Sequence, residues 1–205
     1  MEEKPVKILM DKVEVEGILS LPKNSRGIVI FAHGSGSSRL SPRNIFVARI
    51  LQKAGLGTLL FDLLTEEEDS VYETRFNINL LAERLIAATK WFLKDHKNIK
   101  ISYFGASTGA AAALEAAAEI DVDAIVSRGG RQDMAKGLQK VKAPTLLIVG
   151  GYADVVIGLN RKAYGQIKAE KKLVIVPEAT HLFEEPGKLE EVARLAKKWF
   201  VKHLS

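Results

Sequence analysis

Ile99-Lys100-Ile101-Ser102-Tyr103-Phe104 runs into Gly105-Ala106-Ser107-Thr108-Gly109, which runs directly into the alanine-rich stretch at residues 110–118. The first run is apolar enough to be a buried strand, and the last has the composition of a helix that must approach a sheet closely. The five residues between them have to reverse the chain. A strand that turns into a helix within so few residues forces its central residue into a strained backbone conformation, and only small flanking residues avoid a clash. The hydroxyl of Ser107 then projects from the tip of the turn. A serine between two glycines is common by chance; strand, elbow and helix together predict an activated nucleophile. The plainer reading is a small residue filling a tight turn.

A serine hydroxyl at its ordinary pKa is a poor nucleophile near neutral pH, so a base and an orienting carboxylate are needed. His181 lies in Pro177-Glu178-Ala179-Thr180-His181-Leu182-Phe183, just past the apolar run at residues 173–176. Asp154 follows the run at residues 145–149 in the same way, within Gly150-Gly151-Tyr152-Ala153-Asp154. Loops at the carboxyl ends of strands are where an open α/β sheet exposes reactive groups. The order Ser107, Asp154, His181 is that expected of an α/β-hydrolase triad. Asp154 also suits a helix cap, which leaves Asp133 as the fallback acid, and His181 also suits a hydrogen-bonded loop residue.

Phe31-Ala32-His33-Gly34-Ser35-Gly36-Ser37 completes the pattern ahead of the nucleophile. With these motifs in this order, the chain resembles a lidless α/β-hydrolase of the dienelactone-hydrolase-like group, over nearly its whole length. It departs from dienelactone hydrolase proper in having no cysteine, the nucleophile of that enzyme. The resemblance implies a mostly parallel sheet of about eight strands, helices on both faces, and no cap domain. It also implies an oxyanion hole of two backbone N–H groups, those of Thr108 and Ser35, with His33 as a scaffold residue.

The elements agree with that expectation. Residues 6–10 and 13–21 are joined by Asp11-Lys12 and read as an antiparallel hairpin; residues 27–32, 56–61, 123–127, 145–149 and 172–176 read as further strands. Ser41-Pro42 opens a helix that Gly55 ends, and residues 75–93 form a long helix after a loop containing Glu66-Glu67-Glu68-Asp69. Residues 188–203 close the chain with an amphipathic helix. A length of 205 residues is enough for one domain to bury such a sheet on both faces.

Composition excludes several classes. No cysteine means no disulfide, no thiolate zinc site and no thiol nucleophile, and the scattered histidines give no basis for a metal or cofactor. The net charge of +5 lacks the basic stripe or motif that nucleic-acid binding requires. The residues at the amino end lack the apolar core of a signal peptide, and no apolar run is long enough to span a bilayer, which predicts a soluble cytoplasmic protein. The expected partner is a small acyl substrate. Ser127-Arg128-Gly129-Gly130-Arg131 places two guanidinium groups just past a strand, where Arg128 and Arg131 either favour a carboxylate or phosphate on that substrate or pair with surface acids. The predicted chemistry is ester hydrolysis through an acyl-serine. The alternative is a ligand-binding or accessory domain that keeps the fold without the activity.

Overall fold

A computed structural model describes residues 2–10 and 12–204. Its eight strands form one sheet in the order β1-β2-β4-β3-β5-β6-β7-β8. β1 (Lys4–Met10) and β2 (Val13–Ser20) make the expected antiparallel hairpin, with Met10 opposite Val13; the Asp11 of its connection lies outside the described residues. β2 runs antiparallel to β4 (Gly57–Phe61). From β4 onward every pairing is parallel, through β3 (Gly27–Ala32), β5 (Lys100–Ala106), β6 (Ala124–Arg128), β7 (Thr145–Gly150) and β8 (Lys171–Val176).

Strands covered on both faces need no polar side, and β3, β4, β6 and β7 are buried at every position. One face of the sheet carries α1 (Pro42–Lys53) and α6 (Lys188–Leu204), whose Val47, Leu51, Val192, Ala196 and Phe200 pack on Val29, Phe31, Phe104 and Val126. The opposite face carries α3 (Ile78–Asp95) and α4 (Thr108–Ala117), whose Leu81, Leu85, Ala111 and Ala112 meet Ile28, Ile30, Tyr103 and Ile125. Each parallel crossover therefore lands a helix on one face or the other. The carboxyl ends of β3, β5, β6, β7 and β8 share one edge of the sheet, where their loops gather.

Two segments differ from the sequence reading. The acidic stretch taken for loop is a short helix, α2 (Glu66–Ser70), because Thr65 and Glu68 form a reciprocal capping box. The long helix begins at Ile78 rather than residue 75, since Asn77 caps it by accepting the Leu80 N–H at 3.2 Å, while Tyr72–Phe76 forms a separate 3-10 turn. Neither change moves the strands. α5 (Asp154–Gln166) completes the helices and begins where β7 ends.

Candidate active site

Ser107 occupies the turn between β5 and α4 with φ 53° and ψ −119°, a positive φ that side-chain-bearing residues adopt only under constraint. The constraint is visible in the neighbouring glycines. A Cβ on Gly105 would lie 2.7 Å from the Gly109 carbonyl oxygen, and one on Gly109 would lie 2.6 Å from the carbonyl carbon of Ala32. Real side chains do not fit there. Ser107 is tied down by its own backbone as well: its N–H donates to the Arg128 carbonyl, and its carbonyl accepts from the Arg131 N–H, both at 3.1 Å. The strained turn is therefore held from β3, α4 and the segment after β6 at once.

Beside Ser107 lies a cleft of about 250 Å³ lined by Ser35, Ser41, Arg43, Asn44, Ser107, Arg128 and His181, among others. Among the described residues no carboxylate lines it. A larger hollow of about 500 Å³ sits by the first hairpin, against Lys4, Leu19, Pro22 and His96, and contains neither Ser107 nor His181. The chemistry-bearing residues mark the smaller one.

His181 reaches this cleft from the loop after β8, which is anchored on both sides by the buried Ala179 and Phe183. Phe183 itself has a positive φ of 57°, as does Glu178 at 54°, so the loop bulges to present the imidazole. The ring is half-buried against Gly129, where an added Cβ would stand 3.1 Å from both Cε1 and Nδ1. Burial, then the charges of Arg128, Arg131 and Arg43, lower its pKa below the ordinary 6.5. A neutral imidazole, the form a general base requires, is thereby favoured.

Asp154 is placed next to this loop but is not joined to the histidine. The Tyr152 N–H donates to the Ala179 carbonyl at 2.9 Å and the Gly151 N–H to the Val176 carbonyl at 2.8 Å, so the segments after β7 and β8 are in contact. Asp154 is the exposed first residue of α5, however, and His181 Nδ1 has no hydrogen-bond partner. Nor does Asp154 act as the cap, which is Ala153 without a side-chain bond. The fallback acid is occupied elsewhere: Asp133 takes two hydrogen bonds from Arg131, at 2.9 and 2.8 Å, which hold its carboxyl below the usual range.

The oxyanion pair is adjacent but internally bonded. The Ser35 N–H donates to Thr108 Oγ1 at 2.9 Å, while the Thr108 N–H, in the first turn of α4, has no helical acceptor. His33 is buried, with Nδ1 3.0 Å from the Gly34 carbonyl and Nε2 accepting the Leu63 N–H at 3.0 Å. That arrangement fixes one neutral tautomer and the path of the loop leading to Ser35. Burial holds its pKa below the ordinary 6.5, against the opposing pull of the Gly34 carbonyl.

The two arginines separate. Arg131 is turned outward onto Asp133 and does not line the cleft, so of its two readings it follows the pairing with a surface acid, and only Arg128 stands at the cleft. A carboxylate two residues away captured Arg131. Arg128 is 7% exposed and makes no ion pair or hydrogen bond through its guanidinium among the described residues; its neighbour in the cleft is Arg43, which sequence reading missed. The only signal for Arg43 was its place two residues after the helix cap Ser41. Among the described residues no cluster of three or more histidine or acidic groups could hold a metal.

No family model matches the chain. The solved structure of dienelactone hydrolase from Anabaena variabilis ATCC 29413 is 54% identical to it, covers 100% of this chain and 99% of its own, and superposes with a TM-score of 0.96. The chain belongs to the dienelactone-hydrolase-like group of α/β-hydrolases. A lidless α/β serine hydrolase of Xanthomonas campestris, 19% identical with a TM-score of 0.79, covers 98% of this chain and 94% of its own and shares the fold. Two curated Mycobacterium tuberculosis proteins, provisionally named phosphoribosyl transferases, are 53% identical over 209 residues, which is 100% of this chain and 47% of each relative. The chain thus spans about half the length of the curated relatives it matches. As in the lidless Xanthomonas structure, the described residues form no cap over the sheet, and the cleft opens at the sheet edge.

Proposed function

We propose that the protein hydrolyses a carboxylic ester, or a related acyl bond, through an acyl intermediate on Ser107. The observation that carries this is the strained Ser107 at the tip of the elbow, in one cleft with a half-buried imidazole of lowered pKa. His181 takes the Ser107 proton as the oxygen attacks the acyl carbon, then returns it to the departing alcohol or thiol. Water activated by the same imidazole releases the acid and restores the serine.

Asp154 is the proposed orienting acid, because the backbone bonds between the segments after β7 and β8 hold it beside the His181 loop. In this reading its carboxylate pairs with Nδ1 when the imidazolium develops. The oxyanion is received by the Thr108 N–H and by the Ser35 N–H, the latter exchanging Thr108 Oγ1 for the stronger, charged acceptor. The name of the curated relatives belongs to proteins about twice as long and is not carried to this half.

The open Asp154–His181 pair favours one competing reading, a binding domain that retains the fold without turnover. A fluorophosphonate probe separates the two. Covalent labelling of the wild type that disappears in Ser107→Ala supports the hydrolase; a wild type that stays unlabelled would falsify the nucleophile assignment. Asp154→Asn is expected to slow turnover of a model ester by about a hundredfold or more without preventing folding, as loss of an orienting acid does elsewhere. An unchanged rate would remove Asp154 from the mechanism.

A further inference from the structure

Among the described residues, two buried side-chain donors that lack a partner belong to guanidinium groups lining the Ser107 cleft: Arg43 Nε and Arg128 Nε. Unpartnered buried donors are rare in folded proteins and costly where they occur, so two in neighbouring guanidinium groups point to an acceptor supplied from outside. The charges say the same. Arg128 is buried with no carboxylate partner among the described residues, and the charge of Arg43 adds to burial in lowering its pKa, to about 10. Arg43 has one ion pair, to Glu184 at 3.0 Å, with a carboxylate that is largely in solvent. Two guanidinium groups facing one cleft, with no acid in its lining, repel each other until an anion enters.

We infer that the cleft contains a subsite for a phosphate monoester, held by Arg128 and Arg43, and that the acyl compound cleaved at Ser107 is phosphorylated. The inference deepens the hydrolase reading and rests on it only for the second half of that statement. The geometry favours phosphate over carboxylate in two ways. Arg128 approaches from the end of β6 and Arg43 from the first turn of α1, so donors converge from two elements on one group. A dianion with three terminal oxygens matches two positive charges and the additional hydroxyls of Ser35, Ser37 and Ser41 better than a carboxylate with two oxygens. The first turn of α1 adds the positive end of a helix.

Titration calorimetry of the full chain with inorganic phosphate, against acetate at equal ionic strength, tests the subsite without requiring turnover. Phosphate is expected to bind and acetate to bind at least about tenfold more weakly, in keeping with charge-assisted bidentate contacts. Arg128→Met is expected to weaken phosphate by about tenfold or more and, in the absence of anion, to melt no lower than wild type, because it removes an uncompensated buried charge. Arg128→Lys should recover only part of the binding, since an ammonium cannot form the paired contacts. Arg43→Gln gives the same loss from a half-exposed position if the methionine variant fails to fold.

Equal binding of acetate and phosphate would overturn the phosphate assignment. No heat from either anion, or undiminished phosphate binding in both arginine variants, would overturn the subsite. Fluorophosphonate labelling of the same samples keeps the two ideas apart: labelled protein that ignores phosphate defeats the subsite alone, and unlabelled protein that binds phosphate defeats the hydrolase reading while the subsite stands.

Discussion

Ser107 stores strain in its backbone, and strain of this kind costs on the order of 1–3 kcal/mol. Ser107→Gly is therefore expected to raise thermal stability by about 1 kcal/mol or more while abolishing probe labelling, whereas Ser107→Ala abolishes labelling and leaves stability near the wild-type value. Chemical denaturation of the three proteins measures the difference. A glycine variant no more stable than the alanine variant would mean that the turn relaxes at no cost. The imidazole at this site has its own signature. Because His181 is held below its ordinary pKa partly by arginine charge, the acid limb of kcat/KM should fall at a pH below 6.5, and Arg128→Met should move that limb upward. A pH–rate profile for both proteins decides it. Of the residues involved, Ser107 and His181 were legible as a pair because each follows a strand end. Which of its two readings Arg131 would follow was not, because the choice between Asp133 and the cleft is made by side-chain torsions that no spacing encodes.

The elbow is also a joint between elements, and its glycines are fixed by close backbone approach rather than by Ser107 itself. Gly105→Ala and Gly109→Ala each place a methyl group inside contact distance of backbone atoms in α4 or β3, which cannot yield as a flexible side chain would. Each is expected to destabilise the fold by about 3 kcal/mol or more, read as a lower denaturation midpoint. Gly55→Ala, with open space around its Cβ but a φ of +83°, should cost only about 1 kcal/mol. Comparable midpoints for all three would contradict this reading of the joint. Strand positions followed from apolar runs bounded by glycine, proline and polar residues, and the parallel sheet followed from their alternation with helices. Helix beginnings were less secure. The capping box of Thr65 and Glu68 and the cap at Asn77 are readable spacings, but each competes with nearby residues of similar capping ability, and the contacts of the first helical turn decide between them.

Across the whole molecule, His33, His181 and His203 are held below their ordinary pKa, with burial the leading cause in each. A group whose folded pKa is depressed binds protons more readily in the unfolded chain, so stability rises with pH across that window and falls as pH drops below 6.5 toward the folded values. Thermal melts between neutral and mildly acidic pH should show a declining midpoint, and His33→Gln, which keeps a polar group at the buried position, should flatten the decline. A midpoint independent of pH would show that these imidazoles do not titrate on unfolding. No described helix is long and apolar enough to cross a membrane. Periodicity and turn residues sufficed to assign the sheet, its helices and the place of Ser107 in the elbow, because these depend on local sterics and on which residues leave water. The convergence of Arg128 with Arg43, the open Asp154–His181 pair and the Ser35–Thr108 bond were decided only by tertiary structure. Charge and hydrogen-bond partners are chosen by distance in space, and residues separated by 85 positions meet only after the sheet has formed.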